Sequence, residues 1–136
     1  MATAYKIDDN ALDAHLSSQE LEHFRAKLLR WRAEVLAEAE GTLAQLESDR
    51  LAQPDHADRA SSETDWSLEL RARDRQRKLL AKINAALKRI ETGDYGYCVV
   101  TGEPISVERL EARPIATMTL EAQERHEKRE RLSRED

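Results

Sequence analysis

From Ser18 to Gln53 the chain contains no proline, and its apolar residues keep a helical step. Leu21, Phe24, Leu28, Trp31 and Val35 follow one another at intervals of 3, 4, 3 and 4. That spacing puts them on one face of a helix, which can pack along its length against another. Leu36, Ala39, Leu43 and Leu46 extend the row after a phase shift of one residue. Ser17-x-x-Glu20 marks the start, because a Ser hydroxyl and a Glu carboxylate at that spacing satisfy each other's free backbone N–H groups. A helix from there to about Leu51 would be roughly 50 Å long. Beyond Pro54 and a segment rich in turn and cap formers, residues 52–62, a second row follows: Trp66 and Leu70, then Leu80, Ile83, Leu87 and Ile90, ending near Gly93. Folding the chain about residue 56 or 57 pairs Leu43 with Leu70 and Leu28 with about Ala85. The predicted fold is therefore mainly α, with a long antiparallel coiled-coil hairpin over residues 18–92 whose tip lies at 52–62.

The remainder is short. Residues 93–118 hold two of the three prolines, three of the four glycines and a few β-branched pieces, which reads as a small irregular globule. Tyr95, Tyr97, Val99, Val100, Ile105, Val107, Leu110, Ile115 and Leu120 are its candidate packing residues. Residues 119–136 read as a charged C-terminal helix, and residues 1–17 as at most a short helix resting on the globule. Composition agrees: 36% of residues are charged and 4% aromatic, which suits long solvent-facing helices and leaves little material for a buried catalytic cavity. The net charge of -5 argues against a protein held to DNA through phosphate contacts. No apolar run is long enough to span a membrane, and the first residues lack the plan of a signal peptide, so the expected location is the cytoplasm. Cys98 is the single cysteine and reads as a small buried apolar residue.

Some residues stand out for possible contacts. Asp55 and Asp58 at the bend are of the type that caps a helix or solvates a turn. Arg71, Arg75, Lys78 and Lys82, at intervals of 4, 3 and 4, form one cationic stripe on an otherwise acidic protein, as for an acidic or phosphate-bearing partner.

The bend Asp55-x-x-Asp58-x-Ala60, the second arm from Ser67 to Leu79 (SLELRARDRQRKL), the segment Gly93-Asp-Tyr-Gly-Tyr-Cys98 and the segment Arg109-Leu-Glu-Ala-Arg-Pro114 together resemble the DksA family, from about Ser18 to Gln123. The resemblance implies a non-enzymatic regulator that inserts its hairpin into the secondary channel of bacterial RNA polymerase. Such a factor modulates initiation at stable-RNA and amino-acid biosynthetic promoters together with ppGpp, without reading DNA sequence. It implies polymerase contacts at the tip for Asp55, Asp58 and Ala60, and at the channel rim for Arg71, Arg75 and Lys78. Leu79, Lys82 and Arg113 match positions lining a ppGpp pocket shared with polymerase, and Gln123 replaces a lysine of that pocket. The expected state is a monomer. Two other readings remain open: a Gre-like transcript-cleavage accessory factor whose tip carboxylates bind a metal, and a self-associating structural coiled coil.

The family's usual globule holds zinc through two C-x2-C pairs separated by 17 residues. Here those positions are Cys98, Thr101, Thr119 and Ala122. Threonine and alanine are not zinc ligands, and His126 beside Cys98 would still leave only two, so no zinc or other cofactor is expected.

Overall fold

The computed structural model describes residues 15–51 and 56–135, which form four helices: α1 (Ser18–Leu51), α2 (His56–Thr92), α3 (Val107–Ala112) and α4 (Leu120–Glu135). The expected mainly helical fold is observed, and among the described residues the β structure amounts to one isolated bridge, Tyr97 with Pro104. The predicted capping box closes α1: Ser17 N–H donates to Glu20 Oε1 at 2.9 Å and Glu20 N–H to Ser17 Oγ at 3.0 Å. At the other junction Gly93 adopts φ +86°, a left-handed conformation costly for any residue with a Cβ. That turn lets Asp94 N–H reach Arg89 O at 2.9 Å and Gly93 N–H reach Ile90 O at 3.4 Å, closing the C-terminus of α2.

The chain divides into two units, one of residues 29–84 and one of residues 1–28 with 85–136. The first is an antiparallel helical pair. Val35, Leu46 and Ile83 are buried along its seam, with Trp31, Ala39, Thr42, Trp66, Ala72, Gln76, Leu79 and Leu80 half-buried. Two details differ from the sequence reading. The row on α1 continues from Val35 through Ala39 and Thr42 to Leu46 with no phase shift, so Leu36 and Leu43 are left 45% and 38% exposed. The register is also displaced. Gln76 Nε2 donates to Thr42 Oγ1 at 3.2 Å and Arg32 donates to Asn84 Oδ1 at 2.9 Å, pairs whose midpoints fall at positions 59 and 58 rather than 56 or 57. Leu70, displaced from its expected partner, is exposed. A polar Thr42–Gln76 contact thus occupies a layer that apolar spacing alone assigned to leucines. Since α2 begins at His56, residues 56–62 of the expected bend are helical.

The second unit is built around Phe24, Leu28, Tyr95, Ile105 and Leu110, all at most 2% exposed, with Leu16, Cys98, Ala116 and Ala122 filling between them. Burying each large side chain contributes about 1.5–3 kcal/mol. Tyr95 donates its hydroxyl to Pro114 O at 2.7 Å, and its ring lies 5.8 Å from that of Phe24. Leu16 closes over Gly96, where an added Cβ would lie 2.8 Å from Leu16 Cδ1. Val99, Val100 and Leu120, expected in this core, are instead 56%, 59% and 53% exposed. The turn at 98–102 is held by its backbone, with Val99 N–H donated to Thr117 O at 2.8 Å and Gly102 N–H to Cys98 O at 2.9 Å. Cys98 points inward and both valines point out.

Candidate functional site

Asp55 lies outside the described residues. Asp58 and Ala60 belong by backbone to the first turns of α2, and their side chains lie outside the described residues.

Further along α2, Arg71, Arg75, Lys78 and Lys82 are all exposed, and at 100° per residue they share one face of the helix. Lys78 pairs with Asp74 at 3.0 Å, one turn earlier. Hydrogen bonds from Arg77, then Lys78, hold the Asp74 carboxyl below its usual range. Within the described residues Arg71, Arg75 and Lys82 make no ion pair, leaving three cations of the stripe free for an anionic partner. The remaining positions divide between the two units. Leu79 flanks the seam half-buried beside exposed Lys82 in the helical pair. In the globular unit Arg113 is exposed just after α3, its N–H donated to Arg109 O at 2.7 Å, and Gln123 spends its amide on Glu127 at 2.8 Å.

Of the four finger positions three are buried and Thr101 is exposed. Cys98 is 3% exposed, Thr119 8% and Ala122 2%. Burial pushes the Cys98 thiol up, but hydrogen bonds from the Thr101 hydroxyl and from the backbone at Thr101, Thr119 and Val100 outweigh it and bring the thiol from 9.0 down to about 6. Thr119 Oγ1 accepts the N–H of Ala122 at 3.2 Å, capping α4, and Thr101 Oγ1 accepts from Glu103 N–H at 3.2 Å. One thiol, two hydroxyls already engaged with backbone donors and a methyl group do not fit a tetrahedral zinc site. Among the described residues no cluster of three His, Cys, Asp or Glu side chains is placed to hold a metal.

Sequence reasoning missed two sets of contacts. His23 and Lys27, one turn apart on α1, both reach Glu111, at 2.7 and 2.8 Å, and Lys27 above all lowers its carboxyl. Arg89 donates to the carbonyls of Asp94 and Tyr97, at 2.9 and 2.7 Å, fastening the turn after α2. The i,i+4 spacing of His23 and Lys27 was visible; their partner, 84 residues or more away, was not.

An antiparallel helical pair and a small globule built on the frame of a four-ligand finger, with three ligands replaced, define a class of hairpin-and-finger proteins. Residues 20–90 match the family described as "DnaK suppressor protein DksA, N-terminal domain", and residues 93–128 match "Prokaryotic dksA/traR C4-type zinc finger". Over 121 residues the chain is 58% identical to the RNA polymerase-binding transcription factor DksA of Caulobacter vibrioides, covering 89% of this chain and 85% of that one. It is 40% identical over 119 residues to the protein of the same name from Escherichia coli K12, covering 88% and 79%. The structure of transcription factor DksA2 from Pseudomonas aeruginosa superposes with a TM-score of 0.81 at 45% identity, covering 88% of this chain and 92% of that one. The chain belongs to the DksA family.

Proposed function

We propose that the protein is a regulator of transcription that binds bacterial RNA polymerase and acts by placing the connection between α1 and α2 in the secondary channel. The observation that carries this reading is membership of the DksA family across both the helical pair and the globule, whose named relatives are RNA polymerase-binding transcription factors. Arg71, Arg75 and Lys78 supply rim contacts, the first two free of ion pairs among the described residues, while Asp55, Asp58 and Ala60 act at the tip. A carboxylate delivered near the polymerase's catalytic metal would change the local electrostatics without chemistry by this chain, so the protein is not itself an enzyme. It works in the cytoplasm as a monomer, reads no promoter sequence and folds without zinc.

Leu79, Lys82 and Arg113 form this chain's share of a ppGpp site completed by polymerase. Gln123, tied to Glu127, gives no charge to that site, which weakens the coupling. The test is purified polymerase on a ribosomal-RNA promoter, with and without ppGpp. The parent should bind polymerase and inhibit. Lys82→Ala and Arg113→Ala should lose ppGpp enhancement more than basal inhibition, and Gln123→Lys should gain enhancement. Failure to bind polymerase removes the whole reading; binding with an unchanged ppGpp response in all three variants removes the pocket alone.

A further inference from the structure

Arg109 lies within α3, and its backbone closes that short helix at both ends. Its N–H donates to Ser106 Oγ at 3.1 Å, and its carbonyl accepts the N–H of Arg113 at 2.7 Å. Its side chain then crosses to the returning chain, where Nε donates to Met118 O at 2.9 Å. The segment after Arg113 is pinned along its length. Arg113 O accepts from Ala116 N–H at 3.0 Å, Pro114 O from the Tyr95 hydroxyl at 2.7 Å and Thr117 O from Val99 N–H at 2.8 Å. The exposed side chain of Arg113 therefore projects from backbone that is already ordered, so gripping a ligand costs it little beyond its own rotamer freedom.

The guanidinium of Arg109 is only partly used. Arg109 is half-buried, yet among the described residues neither it nor Arg113 makes an ion pair. Glu111 of the same helix is taken by His23 and Lys27, and the exposed Glu108 pairs with neither arginine. Met118 O occupies Nε alone, which leaves the two terminal nitrogens as donors. A cation drawn partly out of water is ordinarily matched by an anion. The two arginines also stand one helical turn apart, a spacing at which like charges repel unless something negative lies between them.

We propose that Arg109 is a second arginine of the anion site to which Arg113 belongs, and that the two grip one diphosphate group between them. The inference rests on the ppGpp reading given above and adds to it a contact residue. A guanidinium can bond a phosphate through two parallel N–H groups, so two of them one turn apart suit adjacent phosphates. Arg109 also supplies the globular unit with a charge that Gln123, bonded to Glu127, does not.

Two substitutions separate this role from a purely structural one. Glutamine places its amide nitrogen where Nε stands, so Arg109→Gln keeps the bond to Met118 O and removes the charge with both terminal nitrogens. Arg109→Lys does the reverse, keeping a charge at the end of the side chain and losing the donor at Nε. With purified polymerase on a ribosomal-RNA promoter, the ppGpp concentration for half-maximal enhancement should rise at least about tenfold for Arg109→Gln. It should rise less for Arg109→Lys, and the melting temperature of Arg109→Gln should stay close to that of the parent. In an Arg113→Ala background Arg109→Gln should cost less than it does in the parent, since both side chains hold the same group. A parent indifferent to ppGpp removes the pocket itself, and this proposal with it. In a parent that responds, an unchanged half-maximal concentration for Arg109→Gln, a lysine variant worse than the glutamine one, or strictly additive effects of Arg109→Gln and Arg113→Ala would overturn the role of Arg109 alone.

Discussion

Gln76 is a polar side chain on the seam face of α2, and replacing it with leucine should stabilise the protein. Its Nε2 donates to Thr42 Oγ1 at 3.2 Å, and Thr42 donates onward to Glu38 O at 3.0 Å, while Gln76 Oε1 is sealed from solvent without a partner. Turning the amide over does not help, since the opposite end would then be stranded. A buried polar atom left unpaired costs about 1–3 kcal/mol, whereas the hydrogen bond that Gln76→Leu gives up is worth about 0.5–1.5 kcal/mol. Leucine adds apolar burial, at a half-buried position less than the roughly 1.5–3 kcal/mol of full burial. Thr42 keeps its bond to Glu38, so no new orphan appears. The net expectation is a gain of about 1 kcal/mol, or roughly 3–6 °C in Tm for a chain of this size. Circular dichroism melting should show the rise, with a higher urea midpoint at unchanged slope. A fall in Tm would refute the reasoning, because it would mean that Oε1 is satisfied in the folded protein.

Other expectations concern the globule. Strong chelators should leave the melting temperature unmoved and the purified protein should hold less than stoichiometric zinc, since the finger positions lack a donor set for it; a drop of many degrees on chelation would contradict this. The Cys98 thiol, lowered from 9.0 to about 6 in the fold, favours the thiolate in the native state. Its stabilisation should be complete above pH 9 and drain away as pH falls through about 6; Cys98→Ala should lose this pH dependence, and identical pH–stability curves for parent and variant would rule it out. Tyr95→Phe strands the buried carbonyl of Pro114 and should cost about 1–3 kcal/mol by urea denaturation, whereas a neutral change would mean that carbonyl has another donor.

The helices were legible because they rest on local signals: the capping box at Ser17 and Glu20, the missing prolines, the 3 and 4 spacing, and the glycine at 93. The register was not. Leucines at 36 and 43 fit a seam as well as Thr42 does by spacing, and only the long-range Thr42–Gln76 and Arg32–Asn84 bonds distinguish the two alignments. The globule's core was half legible for a similar reason. Tyr95, Ile105 and Leu110 are buried as expected, but Val99 and Val100 face outward because the turn's backbone bonds point Cys98 inward. Of the candidate site, the cationic stripe followed from helical spacing, and the loss of zinc ligands from residue chemistry. The tip and ppGpp roles rested on resemblance throughout, because carboxylates at a bend carry no local mark of what they touch.

The proposed function has polymerase bound through the helical pair and globule and acted on through the tip. The most direct test is one titration of purified polymerase with parent and Asp58→Asn protein, reading binding and inhibition of a ribosomal-RNA promoter together. Asparagine keeps the side-chain size, and in the first turn of α2 loss of the carboxylate's attraction to the helix N-terminus should cost only about 0.3–1 kcal/mol. The account predicts nearly unchanged affinity, collapsed inhibition, and competition by the inert variant against the parent. Normal inhibition by Asp58→Asn, or loss of binding in step with loss of inhibition, would contradict it.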